Sequence, residues 1–367
     1  MPKTSKKQLR ILWLQVHKWI GLLLAVLIIP ISVSGSALVW DEWLGARIEP
    51  QRFEVLGQTD MAPSAYAAAA SATLKGQERL TTLRFNTEGK PVIAIAQAPA
   101  KGEGRSERTN IWLDPRDASV IDRASANAGP LRVLHRLHGS MLVPGGWGRP
   151  LVGWVGVFMF VSCLTGIWLW WPLSGDIRSG FRWKRRNTLN ANLHYFTGFW
   201  ILVPLAMLSF TGAWISFPKV FSAFESSVPR GPGGPGGGAQ PLTTPHTSID
   251  AALAAASPLA KGPLLSIGWP TDRKAEWTLQ FDTGGPPAEV KVADADASAI
   301  PPEPPRPEML ARTMRRWHDG TDMGPVWQTV IFLGGIIPAL LSITGIIIWW
   351  RARSKRRSRP QRATAAV

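Results

Sequence analysis

Four long apolar runs, none of which contains a charged residue, constrain this chain more than any other feature. The runs cover Ile20–Val39, Leu151–Trp171, Phe196–Phe217 and Val326–Trp350 of the 367 residues. Each has about the 20 residues that a helix needs to cross a hydrocarbon core of roughly 30 Å. The sequence therefore predicts an α-helical membrane protein with four transmembrane helices.

The net charge of +16 is confined to three segments, residues 1–18, 173–193 and 351–367. Basic residues stay on the cytoplasmic side of membrane spans, so we expect both termini and the short middle loop to be cytoplasmic. The two long loops, which are neutral overall, then face the other side. Basic segments in these places also suit contact with anionic membrane lipid and do not indicate nucleic-acid binding.

The chain repeats one unit of span, long loop and span, over about 10–173 and 190–352. An odd span leads out and an even span returns in both copies, so the copies share one orientation. In the first copy we expect an N-terminal tail and first span at 1–43, a loop domain at 44–130, and a lead-in segment and second span at 131–173. A basic loop at 174–193 joins the copies. In the second copy we expect a third span at 194–218, a loop domain with Gly/Pro linkers at 219–312, a lead-in segment and fourth span at 313–351, and then a basic tail at 352–367. Alternating strand patterns and Ala-rich stretches predict an α+β domain in each long loop.

One histidine opens or precedes each span, namely His17, His138, His194 and His318. Histidine is costly in a membrane helix unless it has a partner or binds a metal. His17 and His194 begin outward-going helices, and His138 and His318 precede returning ones. We therefore expect two bis-histidine sites, His17–His194 and His138–His318, each holding the iron of one haem b.

A hydroxyl residue followed by glycine lies at the far end of each span, and these pairs are Ser34-Gly35, Thr165-Gly166, Thr211-Gly212 and Thr344-Gly345. Eighteen residues of helix cover about 27 Å, so Gly35 should reach the level of the His138–His318 pair. Glycine at these positions would let a flat macrocycle approach the helix backbone. The alternative is that the small residues only pack one helix against another.

Further residues near the expected sites have open roles. His135, one helical turn before His138, is an alternative ligand, a contact to a ligand residue or a substrate contact, and His246 is expected to lie on the surface. Candidates for binding haem propionates on the side of the long loops are Arg132, Arg136, Arg149, Arg312, Arg315 and Arg316. Ordinary snorkelling of arginine at a membrane interface is the alternative for each of them.

The histidine segments resemble the PepSY-associated transmembrane family. The resemblance rests on Val16-His17-Lys18-Trp19, Leu137-His138, Leu193-His194-Tyr195-Phe196 and Trp317-His318-Asp319, together with the four hydroxyl–Gly pairs. It implies an inner-membrane protein with PepSY-like periplasmic domains, similar to haem-containing ferric-siderophore reductases and iron-regulated membrane proteins. Such an enzyme would take electrons from a quinol or a cytoplasmic reductant and reduce a ferric siderophore at the periplasmic face.

Two other functions stay open at this point. One is a non-catalytic membrane-anchored PepSY module that binds a peptide, a partner or another ligand. The other is a small transporter for iron or siderophore, for which broken helices or charges inside the membrane would be expected. The sequence contains no nucleotide-binding glycine motif and no recognisable nucleophilic triad, so any redox chemistry would depend on a cofactor.

Overall fold

In a computed structural model, the chain forms two compact units, and the described residues are 6–53, 55, 61–86, 89–99, 106–172, 177–184, 186–221, 239–285, 287–302 and 310–357. The first unit, called here the membrane unit, comprises Met1–Asp41, Val133–Ser227 and Glu308–Val367. The second, the sheet unit, comprises Glu42–Arg132 and Val228–Pro307. The predicted Gly-rich and Pro-rich linkers fall largely outside the described residues.

The membrane unit is helical. Its helices are α1 (Lys6–Leu38), α4 (Pro130–Ser140), α5 (Gly148–Trp170), α6 (Leu189–Trp200), α7 (Leu202–Ser216), α8 (Pro218–Phe221), α10 (Leu310–Asp319) and α11 (Gly324–Arg357), where α4 begins within the sheet unit. By length and composition α1, α5 and α11 can each cross a membrane, and α6 with α7 adds a fourth span if the two count as one. The chain is thus a multi-pass membrane protein.

The third predicted span is broken, which corrects the expectation of one continuous helix at 194–218. α6 ends at Trp200, α7 begins at Leu202, and the two axes differ by 66°. Pro204 explains the break, because it has no N–H to donate to the carbonyl of Trp200, and in a continuous helix its ring would clash with that carbonyl. Pro30 and Pro338, which could also have interrupted spans, lie inside continuous helices.

Small residues bring the membrane helices close together. A Cβ added at Gly156 of α5 would lie 3.0 Å from the carbonyl oxygen of Ser209 in α7. One added at Gly335 of α11 would lie 2.6 Å from the carbonyl oxygen of Ser32 in α1. The Ser36 hydroxyl also donates a hydrogen bond of 2.8 Å to the Phe332 carbonyl, so α1 and α11 are joined by a polar contact as well.

The sheet unit contains one antiparallel sheet of eight strands in the order β4-β3-β2-β1-β5-β6-β7-β8. The strands are β1 (Arg79–Arg84), β2 (Val92–Gln97), β3 (Arg108–Leu113), β4 (Val120–Ser125), β5 (Leu264–Gly268), β6 (Glu276–Phe281), β7 (Ala288–Ala293) and β8 (Ala299–Ile300), and the helices are α2 (Asp41–Ile48), α3 (Pro63–Ser71) and α9 (Ile249–Ala256). Apolar side chains alternate along the central strands and point to the face covered by α3 and α9. Tyr66 of α3, Leu83 of β1 and Leu279 of β6 are fully buried there.

The two loop domains are one structural unit, whereas the sequence predicts two separate α+β domains. Strands β1 and β5 pair antiparallel, with Leu83 opposite Ile267, and so join the sheets of both loops. Each strand would otherwise leave a row of backbone N–H and C=O groups unpaired at a sheet edge, and the pairing satisfies them. Because the partners are about 180 residues apart, no local pattern indicates this contact.

Candidate functional site

Four histidines of the membrane unit meet as two pairs. The ring centroids of His17 and His194 lie 6.3 Å apart with an angle of 85° between the ring planes. Those of His138 and His318 lie 6.0 Å apart with an angle of 38°. The members of each pair come from different helices, α1 with α6 and α4 with α10. These are the two pairs that the membrane topology indicates.

Each imidazole is held by its Nδ1 atom to a neighbouring helix. Three of the four Nδ1 atoms lie next to a threonine hydroxyl, namely His17 at 2.9 Å from Thr165, His194 at 3.1 Å from Thr344 and His318 at 3.0 Å from Thr211. The Nδ1 atom of His138 lies 2.8 Å from the carbonyl oxygen of Ile31. With Nδ1 occupied in this way, Nε2 is the nitrogen left for a metal ion.

Each ring also packs on one of the four predicted glycines. A Cβ added at Gly35 would lie 2.6 Å from Cε1 of His138, and one added at Gly212 would lie 3.0 Å from Cε1 of His318. At Gly166 and Gly345 the corresponding distances to His17 and His194 are 3.5 and 3.6 Å. At Gly35 and Gly212 the missing side chain therefore leaves room for an imidazole ring, most of all at Gly35, whereas Gly166 and Gly345 lie at ordinary contact distance from theirs.

The spacing within each pair suits one metal ion between two nitrogens. A metal ion lies about 2 Å from an imidazole nitrogen, and that nitrogen lies roughly 1 Å from the ring centre, so two ligating rings have centroids about 6 Å apart. Ligation leaves each ring free to turn about its metal–nitrogen bond, so both interplanar angles fit. All four rings are half-buried and keep some accessible surface. Among the described residues no group of three or more His, Cys, Asp or Glu forms a metal site.

Burial keeps the second pair in the form that binds metal. His138 and His318 lie on α4 and α10, outside the candidate spans. Burial lowers the pKa of both imidazoles, and the neighbouring His138 helps to bring the pKa of His318 to about 4. Both rings are therefore neutral at neutral pH, as metal ligation requires.

Comparison with known families agrees with this layout. Residues 14–352, which include all four histidines and the sheet unit, match the family described as PepSY-associated TM region. The chain belongs to this family. It is therefore a membrane-associated PepSY protein. A search of curated proteins found no match.

The arginines predicted to bind haem propionates, together with His135 and His246, do not form one cluster among the contacts described. The guanidinium group of Arg149 donates to the carbonyl of Ile215, at the end of α7, and so has a structural contact. Arg132 belongs to the sheet unit and donates a hydrogen bond of 3.4 Å to Asn127. Exposed positions on α4 and α10 are occupied by His135, Arg136, Arg312 and Arg315, whereas Arg316 is half-buried on α10. His246 is exposed in the sheet unit.

Sequence reasoning missed the residues that hold the imidazoles. The three threonines were noticed only as neighbours of glycine, although a Thr-Gly pair in an apolar helix offers a hydroxyl beside a gap of one side chain. The Ile31 carbonyl has no sequence signal, because every residue carries one. Arg10 was also missed, and it donates a 3.0 Å hydrogen bond to the Trp171 carbonyl, beyond the end of α5.

Proposed function

We propose that this protein binds one haem b between the members of each histidine pair and transfers electrons across the inner membrane. The observation that carries the proposal is the spacing of two facing imidazole pairs, 6.3 and 6.0 Å between ring centroids. The donor set supports it too, because two neutral imidazoles are a common axial ligand set for haem.

The positions of the pairs along α1 favour transfer through the whole membrane. His17 belongs to the first pair, and Gly35 of the same continuous helix touches a ring of the second pair. The 18 residues between them cover about 27 Å of helix, close to the thickness of a hydrocarbon core. Because basic termini favour the cytoplasmic side, the proposal has the first pair near the cytoplasm and the second pair near the periplasm.

The proposed reaction is the reduction of a ferric siderophore on the periplasmic side. When bound, haem accepts and donates single electrons. His17 and His194 would hold the haem that receives electrons from a quinol or a cytoplasmic reductant, and His138 and His318 would hold the haem nearer the acceptor. Reduction suits release, because hard oxygen ligands hold Fe(II) more weakly than Fe(III).

Exposed arginines near the second pair fit this side of the reaction. Arg136 lies two residues before His138, and Arg315 lies three residues before His318, so both project from the helices that carry the second pair. A guanidinium group binds a carboxylate with two parallel hydrogen bonds, so these residues can hold haem propionates or an anionic acceptor. We place His135, also exposed on α4, among the residues that can contact the acceptor.

A cavity in the sheet unit favours a second candidate function, ligand binding by the loop domain. It has a volume of about 320 Å³ and is lined by residues of α3 and the start of α9 together with Trp269 and Trp277. Trp277 is 2% exposed, and its indole N–H has no hydrogen-bond partner among the described residues. The indole nitrogen is itself closed off from solvent, so Trp277 supports this function as part of the cavity wall, and a Trp277→Phe variant should weaken ligand binding but keep haem.

A transporter is less well supported. The break between α6 and α7 is the kind of interruption that transporters use at binding sites. However, Leu189–Ser216 contains no Asp, Glu, Lys or Arg that would line a path for an ion.

The absorption spectrum of the purified protein tests the proposal. We expect low-spin haem bands that sharpen on reduction with dithionite. His17→Ala and His194→Ala should each remove about half of the haem, because each variant destroys one bis-histidine site and leaves the other. His246→Ala is the matched control and should keep all haem, since His246 is exposed in the sheet unit. A colourless wild-type protein would contradict the whole proposal, and full haem retention in both His17→Ala and His194→Ala would contradict the first site.

A further inference from the structure

The threonine beside each of three histidines does more than fill space. Its hydroxyl group already has a partner for its single hydrogen, because it donates to a carbonyl one turn back in its own helix. The distances are 3.1 Å from Thr165 to Ser162, 2.9 Å from Thr344 to Leu340 and 2.9 Å from Thr211 to Met207. A hydroxyl has one hydrogen and two lone pairs, so toward the histidine the threonine oxygen can only accept.

With the hydroxyl hydrogen directed to that carbonyl, the histidine is the donor in each of these contacts. The three rings also hydrogen-bond to main-chain groups of the same helices, at Ser162, Leu341 and Leu208, where a carbonyl can only accept. A neutral imidazole carries one hydrogen, on either Nδ1 or Nε2. In each contact the threonine oxygen lies 2.9–3.1 Å from Nδ1 and accepts a hydrogen bond. This favours the imidazole form that carries its hydrogen on Nδ1. In that form Nε2 has a free lone pair, and a metal ion binds to this lone pair.

We propose that Thr165, Thr211 and Thr344 are positioning residues that keep the hydrogen of the ligand histidines on Nδ1 and orient their Nε2 lone pairs toward haem iron. This inference rests on the proposed function. A hydrogen bond from the outer ring nitrogen of a ligand histidine also raises the basicity of the ligand. The three hydroxyl groups thus help to stabilise the oxidised iron at their own sites.

The fourth histidine provides an internal comparison. His138 donates to the main-chain carbonyl of Ile31, which no side-chain substitution removes. Ser34 occupies the position before Gly35 that threonine occupies in the other three helices. Its hydroxyl lies 2.6 Å from the carbonyl oxygen of Pro30 and 3.0 Å from that of Ile31, so its one hydrogen is directed into its own helix, and it makes no described contact with the ring. Hydroxyl deletion at Ser34 removes a second donor from the Ile31 carbonyl but no acceptor of the ring, so it is the comparison for hydroxyl deletion at the threonines.

The test compares Thr→Val and Thr→Ser at each of the three positions with Ser34→Ala, all in the full-length membrane protein. Valine keeps the shape of threonine without the hydroxyl, and serine keeps the hydroxyl. The measurements are haem content, haem affinity, the midpoint potential of each haem and its low-spin electron paramagnetic resonance signal. A purely structural role would not move the potential of one haem selectively.

We expect each Thr→Val variant to weaken haem binding at its own site by at least about tenfold. Where the haem is retained, its potential should rise, because a less basic ligand stabilises Fe(III) less. A tenfold shift of the Fe(III)/Fe(II) equilibrium corresponds to about 59 mV. Thr→Ser should restore wild-type values, and Ser34→Ala should leave both haems unchanged. Thr165→Val and Thr344→Val should affect the same haem, and Thr211→Val the other.

Wild-type potentials, signals and haem affinity in all three valine variants would overturn the inference while leaving the haem proposal intact. A shift in Ser34→Ala as large as that in Thr211→Val would overturn it as well. If the wild-type protein binds no haem, the proposed function fails instead. Solid-state NMR of ¹⁵N-labelled histidine then still reports the protonated ring nitrogen, and Nε2 protonation in the wild-type protein would contradict the role given to the hydroxyls.

Discussion

Replacing Gly35 by alanine should release the haem of the second pair. The new Cβ would lie 2.6 Å from Cε1 and 2.9 Å from Nδ1 of His138, whereas ordinary contact begins at 3.4 Å. The ring must therefore move by roughly 0.8 Å. Metal–ligand distances tolerate changes of only about 0.2 Å, so the displaced nitrogen leaves bonding distance. We expect Gly35→Ala to keep about half of the wild-type haem, as removal of one ligand would.

The same substitution at Gly345 is the matched control. Its Cβ would lie 3.6 Å from Cε1 of His194, which is ordinary contact, so Gly345→Ala should keep nearly all haem. Gly212→Ala, at 3.0 Å from His318, should fall between the two. Haem per protein is measured as pyridine haemochrome, and the thermal midpoint is recorded in parallel. Alanine is a better helix former than glycine by about 1 kcal/mol, so helix loss does not explain a decrease in haem.

The graded series separates ring displacement from a general defect. Equal haem loss in Gly35→Ala and Gly345→Ala, or full retention in a folded Gly35→Ala protein, would refute the reasoning that glycine makes room for the imidazole.

Three further predictions concern stability. Gly335→Ala places a methyl group 2.6 Å from a carbonyl oxygen of α1, and this overpacking should cost about 1–3 kcal/mol and lower the thermal midpoint in detergent. Gly21→Ala is the control, because an added Cβ there has nothing within 4 Å, and it should leave the midpoint unchanged. An equal decrease in both variants would contradict the α1–α11 contact. Leu83→Ala empties a fully buried position at the joint of the two half-sheets and should cost about 2–5 kcal/mol, measured as faster limited proteolysis of the full chain; unchanged proteolysis would argue against the continuous sheet. Arg116 hydrogen-bonds to Asp114 and holds the pKa of that carboxyl below its ordinary value, so the contact stabilises the fold at neutral pH and is lost as the pH falls below about 4. The thermal midpoint of Asp114→Asn should therefore differ from wild type at pH 7 more than at pH 3, and a constant difference would rule out this linkage.

Much of the architecture follows from local patterns. Runs without charge identify the membrane helices, because an unpaired charge in hydrocarbon costs too much to be tolerated. Alternation of apolar residues identifies the central strands, as in β6, where Trp277, Leu279 and Phe281 alternate with more polar residues and are buried. The break in the third span was not predicted as such, although Pro204 is its cause, because Pro30 and Pro338 leave their helices intact.

For the candidate site, too, some features follow from local sequence patterns and others only from the tertiary structure. Spacing and topology name the four histidines and which ones face each other, because a helix has a fixed rise and a membrane has two sides. The individual contacts are different in kind. That Gly35 touches His138, or that the Thr344 hydroxyl lies against His194, depends on how helices are rotated and packed.

By itself, the sequence determines which segments are apolar enough to span a membrane and which alternate as strands, since each depends on residues close together in the chain. Sidedness and the ligand role of the four histidines stay predictions from charge and spacing. Only the tertiary structure decides that the two loops share one sheet and that β1 pairs with β5. It alone also decides which atom receives each Nδ1 hydrogen. These contacts join residues more than 100 positions apart, and they depend on how closely the side chains of different helices pack together.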